Sequence, residues 1–257
     1  MIAMAIDTRP QSLSRRRAAE VAAAELRAFG AALASLDDTD WARPTDCPDW
    51  TVKDVVAHVC GQYEELSKPT VLLHRLRVAR RRYPDKIALD GHNQVQIDEL
   101  GGLPPAELFA HLQRNGPVAL KRIRLMPGLF RRISTLRFFP ESPLQESNLG
   151  YLADVILPRD TWMHRMELTR ASGGVFDVDD HDHEIVSQVV RELDQGWQRP
   201  PLRLELTGPA GGVWAIGRGA PVESVTADTM AMMLHLSGRD GVELPKDSPL
   251  SAARVVF

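Results

Sequence analysis

Residues 159–168 read RDTWMHRMEL, and the way this stretch folds decides the architecture. Asp160 and His164 are four residues apart, so on a helix they stand one above the other on one face. Trp162, Met163 and Met166 surround them with apolar bulk, which suits a helix packed inside a bundle. Pro158 should kink this helix or start a fresh one, and Gly173-Gly174 marks its end. The Asp/His pair reads either as a helix-surface ion pair or as two thirds of a metal site. A third ligand elsewhere in the chain would decide between them.

Working outward, helical patterning fills most of the chain. Residues 12–36, SLSRRRAAEVAAAELRAFGAALASL, repeat apolar positions every three or four residues. A turn dense in Asp and Pro, residues 37–50, leads to TVKDVVAHVCGQYEELS, residues 51–67. There Thr51 and Asp54 have capping-box spacing, and Val52, Val55, Val56, Val59 and Tyr63 form an apolar stripe. Trp50 reads as a staple fixing the entry to that helix. A basic helical segment, residues 74–82, runs into a loop at 83–93. Another helix is expected from Pro104 through Met126, interrupted at Gly116-Pro117.

Beyond the acidic stretch FDVDDHDHE, residues 176–184, the character changes. This stretch is expected to be a solvated interdomain loop. One amphipathic helix at 184–197 precedes short strands at 202–208, 211–217 and 221–227, and a last helix spans 227–238. The fold class is therefore mainly α with a small α/β appendage. A bundle of four long helices is expected over residues 1–177 and an α/β domain over 178–257.

Composition bounds the function. A chain of 257 residues with 44% hydrophobic and 25% charged residues is ordinary for a soluble globular protein. A net charge of -3 argues against a surface built to hold nucleic acid. The arginine-rich stretches at 74–82 and 121–132 lack interleaved aromatics and read as solvated helix faces. No apolar run approaches membrane-spanning length, and the first residues lack a leader's apolar core and cleavage site. Cys47 and Cys60 cannot make a disulfide framework, so reducing surroundings and a cytoplasmic location are expected.

The third-ligand candidate is His58, in KDVVAHV. Alone, a histidine beside an apolar stripe is usually a hydrogen-bonded core residue. Together with Asp160 and His164 it fits a bundle geometry. One helix offers a His, another offers a carboxylate and a His one turn apart, and open positions remain on the metal.

The segments WARPTDCPDWTVKDVVAHV (41–59), RDTWMHRMEL (159–168) and HLSGRD (235–240) resemble the mycothiol-dependent maleylpyruvate isomerase family, within the DinB-like metalloenzyme superfamily. The resemblance spans nearly the whole chain. It implies a DinB-type four-helix bundle holding one divalent metal, usually zinc, with His58, Asp160 and His164 as ligands. The isomerase that names the family has Glu where this chain has Asp160. The resemblance also implies mycothiol as thiol cosubstrate, deprotonated at the metal, and a small electrophilic substrate. Isomerase and S-transferase activity need the same activated sulfur. A hydrolase activating water and a non-catalytic ligand-binding scaffold are the alternatives. Arg239 matches the arginine that closes the family's C-terminal motif and would pair with an anionic substrate group. Its other reading is an arginine offsetting a helix dipole.

Nearby residues carry plainer readings. Asp54 is expected to cap its helix rather than orient His58, and Glu167 to face solvent rather than act as a base. Cys60 reads as a buried thiol, and Trp162 as a core residue.

Overall fold

The computed structural model describes residues 9–142, 144 and 146–257. They form two compact units: Arg15–Phe176, and Asp177–Phe257 with the described residues ahead of Arg15.

The first unit is helical: α1 (Arg15–Ala34), α2 (Val52–Ser67), α3 (Pro69–Arg82), α4 (Ala88–Leu100), α5 (Pro105–Leu125), the short α6 (Gly128–Arg131) and α7 (Leu149–Tyr151), and α8 (Leu157–Ser172). Helices α1 and α2 each pack against both α5 and α8, closing a four-helix bundle. Its core joins Phe29 and Leu33 of α1, the valines of α2, Leu108 and Leu112 of α5, and Leu157 and Leu168 of α8. Each such side chain, fully buried, contributes roughly 1.5–3 kcal/mol. Helices α3 and α4 pack on each other and on α2.

Local chemistry explains the ends of these helices. At the start of α2, Asp54 N–H donates to Thr51 Oγ1 at 3.3 Å, and Thr51 N–H donates to Asp54 Oδ2 at 2.9 Å. Asp54 is thus a cap. Gly173 ends α8 in the left-handed region, φ 72°, and its successor's N–H reaches back to the Thr169 carbonyl. Pro158 is taken up within a continuous helical path. A π turn over Leu152–Ile156 precedes α8, so the hydrogen bond that proline cannot donate falls where the winding is already widened.

Two expectations for this unit are corrected. Gly116-Pro117 does not interrupt α5, which runs through both. Pro117 forfeits one backbone bond, while packing on α1 and α2 holds the helix together. Gly116 is small because α1 comes close: a Cβ there would lie 2.7 Å from Leu26 Cδ2. Second, the expected loop at 83–93 ends early, because α4 begins at Ala88. Its inward face is partly polar, with Gly91, His92 and Gln96 buried beside Val95 and Leu100, so no clean apolar stripe announces it.

The second unit contains α9 (Asp180–Gly196), β1 (Leu202–Thr207), β2 (Gly212–Ile216), β3 (Glu223–Asp228) and α10 (Thr229–Leu236). Strand β1 is central, antiparallel to β2 and parallel to β3, with Leu204 opposite both Trp214 and Val225. Leu202, Leu204 and Leu206 are buried while Arg203 and Glu205 are half-buried, the period of two expected of a one-faced sheet. Helix α9 packs on β2, and α10 on β1 and β3. The acidic stretch is not a loop throughout. Asp179 caps α9 in a capping box with Asp182, and His181 and Asp182 are buried. Among the described residues, no helix is long and apolar enough to cross a membrane.

Candidate metal centre

Helix α2 buries Val55, Val56 and Val59, and His58 goes in with them, 2% exposed. Helix α8 is buried along most of its length, which carries His164 inward at 4% exposure with Asp160 one turn before it. Because α2 and α8 are neighbours in the bundle, the three side chains meet. His58 Nε2 lies 3.7 Å from Asp160 Oδ2, and His164 Nε2 lies 3.5 Å from Asp160 Oδ1. One potential ligand atom from each residue lies within 4.8 Å of the other two. The two imidazoles meet edge to face, with centroids 5.1 Å apart.

The hydrogen bonds behind each ring settle which nitrogen faces inward. Gln96 Nε2 donates to Glu65 Oε1 at 2.9 Å, so the amide oxygen of Gln96 points the other way, 2.7 Å from His58 Nδ1. That oxygen only accepts, so Nδ1 carries the proton and the Nε2 lone pair faces Asp160. Gln62 Nε2 donates to that lone pair at 3.0 Å. His164 follows the same rule. Its Nδ1 lies 2.6 Å from Glu167 Oε2, leaving Nε2 toward Asp160. Glu167 is fully buried, which corrects its expected exposure, and its other oxygen accepts from Cys47 Sγ at 3.2 Å. Ring N–H groups held by buried oxygens are the usual outer support of metal-binding histidines. Trp50 stacks on His164 at 6.2 Å and tilts against His58 at 5.2 Å.

The electrostatics favour a cation. Burial would raise the Asp160 carboxyl, but the neighbouring His164 and His58 imidazoles hold it well below the usual carboxylate range. Burial opposes charge on His164, yet Asp160 and Glu167 push it up to about 10. Asp160 Oδ2 is buried and takes part in no hydrogen bond. A buried carboxylate oxygen left in that state, beside two imidazole Nε2 atoms whose present partners, the Gln62 amide and a ring proton on His164, a metal ion would displace, fits a divalent cation of borderline character such as zinc. Cys47, His164 and Glu167 form a second close group. There, however, Glu167 is already committed to the Nδ1 proton of His164, so the lone pair of that ring serves the first set.

Cys60 is fully buried, and burial pushes its thiol up to about 12, so it is no nucleophile. Arg239 belongs to the second unit. It is half-buried in the turn after α10, its backbone N–H bonded to the Leu234 carbonyl. The set that the first unit brings together is therefore His58, Asp160 and His164. Sequence reasoning passed over Gln62, Gln96 and the buried role of Glu167. Spacing flags two of them, four after His58 and three after His164, while Gln96 sits on α4, whose first turns fall in the expected loop at 83–93.

A family comparison matches residues 22–169 to the mycothiol maleylpyruvate isomerase N-terminal domain. The match takes in more than half of the chain and all three converging residues. No curated protein matches. Two solved structures resemble this one. They are crystal structures of the mycothiol-dependent maleylpyruvate isomerase and of a histidine-to-alanine mutant of it. Each covers 91% of this chain and 96% of its own, at a TM-score of 0.60 and 17% identity, a likeness of fold. With the bundle, the appended sheet and the family match in agreement, the chain belongs to the mycothiol maleylpyruvate isomerase family of enzymes.

Proposed function

We propose that this enzyme is a metal-dependent isomerase that uses mycothiol on a small electrophilic substrate, with His58, Asp160 and His164 as ligands to zinc. The observation that carries the reading is the pairing of two pinned imidazoles around one under-bonded carboxylate. A divalent cation held there supplies the charge that keeps a thiol deprotonated at neutral pH. Gln96 and Glu167 orient the rings, Asp160 offsets part of the charge, and Trp50 walls one side. Mycothiol is supported by the family description and by the names of the two similar structures. In isomerisation the sulfur adds to a conjugated double bond, the resulting single bond rotates, and the sulfur leaves, so the thiol is recovered. In a transferase the carbon–sulfur bond would remain.

The test is metal analysis of the purified chain joined to a cis–trans isomerisation assay with and without mycothiol. Stoichiometric zinc, thiol-dependent turnover and loss of both in His58→Ala are expected. Protein that lacks a divalent ion after zinc loading, or turnover that ignores the thiol, would contradict the reading.

A further inference from the structure

The first unit holds a cavity of about 110 Å³ that adjoins the metal centre through two shared residues. Gln96, which accepts from His58 Nδ1, and Gln62, which donates to His58 Nε2, both line it. Its walls are largely apolar, formed by Leu72, Phe138, Phe139, Leu152 and Ile156 among others. No arginine or lysine stands among its lining residues. Its one carboxylate, Glu65, belongs to a cluster in which Glu64, Glu65 and Glu99 surround the single buried Arg75. His92 faces Glu65 at 3.1 Å, and His111 faces Glu64 at 3.5 Å. Carboxylates outnumber guanidinium groups behind this wall. An anion entering would lose its hydration and meet no arginine or lysine of the wall in return.

Three lining residues carry a buried polar atom with no hydrogen-bond partner: Gln62 Oε1, His92 Nε2, which faces the Glu65 carboxylate, and Thr135 Oγ1, the hydroxyl among them. Thr135 is 2% exposed, and its buried Oγ1 has no hydrogen-bond partner. Buried hydroxyls are ordinarily satisfied, so an unpartnered one lining a cavity points to a ligand atom.

We infer that this cavity receives the uncharged, apolar body of the substrate, with Thr135 Oγ1 donating to its carbonyl oxygen. The substrate class is then a conjugated ketone or aldehyde with an apolar body, not a compact dicarboxylate. Any carboxylate it carries stays outside this cavity. The inference rests on the isomerase reading and names the substrate class for it.

The experiment compares cyclohexenone with maleate, which are similar in size and opposite in character, by saturation-transfer NMR on the zinc-loaded full chain. Cyclohexenone is expected to bind at least tenfold more tightly than maleate. Leu72→Trp, which fills the cavity from α3, should abolish that binding. Thr135→Val, which keeps the shape and removes the hydroxyl, should weaken it severalfold. Equal or tighter maleate binding, or cyclohexenone binding unchanged in Thr135→Val, overturns the inference even if Leu72→Trp fails to fold. A cobalt-substituted sample given mycothiol alone tests the underlying reading separately. A thiolate-to-cobalt band without cyclohexenone binding sinks the cavity assignment only. Cyclohexenone binding that Leu72→Trp abolishes, without such a band, sustains the cavity as a ligand site and removes its link to thiol chemistry.

Discussion

Glu167 Oε2 lies 2.6 Å from His164 Nδ1, with both residues buried on α8 one turn apart. The carboxylate fixes the ring's tautomer and turns Nε2 toward Asp160. Support of this kind typically changes metal affinity by about 10–100-fold. Glu167→Ala should therefore weaken zinc binding by about that factor in a competitive chelator titration. Glu167→Gln, whose amide oxygen can still accept, should lose less. Equal affinity in Glu167→Ala and the parent would show that the contact is structural only.

The other ring is supported from α4, and that support depends on a glycine. A Cβ at Gly61 would lie 2.7 Å from Gln96 Cβ, too close for either helix to remain where it is. Gly61→Ala should cost about 1–3 kcal/mol of stability by overpacking. It should also lower zinc affinity, because Gln96 withdraws from His58. Chemical denaturation and chelator titration read the two effects. A stable variant with intact affinity would refute the coupling.

Away from the candidate metal centre, Arg165 Nε and Nη2 of α8 donate to Glu25 Oε1 and Oε2 of α1 at 2.9 and 3.0 Å, in full burial. Removing one partner of such a pair strands a charge and costs about 3–5 kcal/mol. Glu25→Ala should lose stability on that scale in urea denaturation. A loss below about 1 kcal/mol, the level of a surface pair, would contradict this account.

Stability of the chelator-treated protein should depend on pH in a defined direction. His164 is raised from 6.5 to about 10, so its contribution is complete below pH 6.5 and is lost as pH rises through about 10. Asp160 is lowered below 3.8, so its contribution is present above that value and lost only in stronger acid. The melting temperature of metal-free protein should therefore fall between pH 6.5 and 10, and the slope should flatten in the zinc-loaded protein, where the cation replaces the proton. A metal-free melting temperature that is flat or rising across this range would contradict the arrangement.

The sequence carries the bundle helices well, because α2 and α8 declare themselves through a valine stripe, a capping box and a Gly-Gly stop. The sheet is legible too, since Leu202, Leu204 and Leu206 alternate with polar residues. Helix α4 is obscured because its buried positions include His92 and Gln96, which serve a polar network rather than an oily core. Pro117 misleads in the opposite way: its local preference for a break is overridden by packing on both sides of α5. Within the candidate site, the one-turn spacing of Asp160 and His164 is plain in the chain. The approach of α2 to α8 and the burial of Glu167 are not properties of any short stretch, so only the tertiary structure displays them.

Whether His58, Asp160 and His164 hold a metal open to sulfur is decided by titrating metal-stripped protein with cobalt(II) and then adding mycothiol while recording absorption. One tightly bound cobalt per chain, a sulfur-to-cobalt charge-transfer band when the thiol arrives, and loss of both in His58→Ala are expected. Absence of stoichiometric cobalt, or a bound cobalt whose spectrum ignores mycothiol, would contradict this assignment.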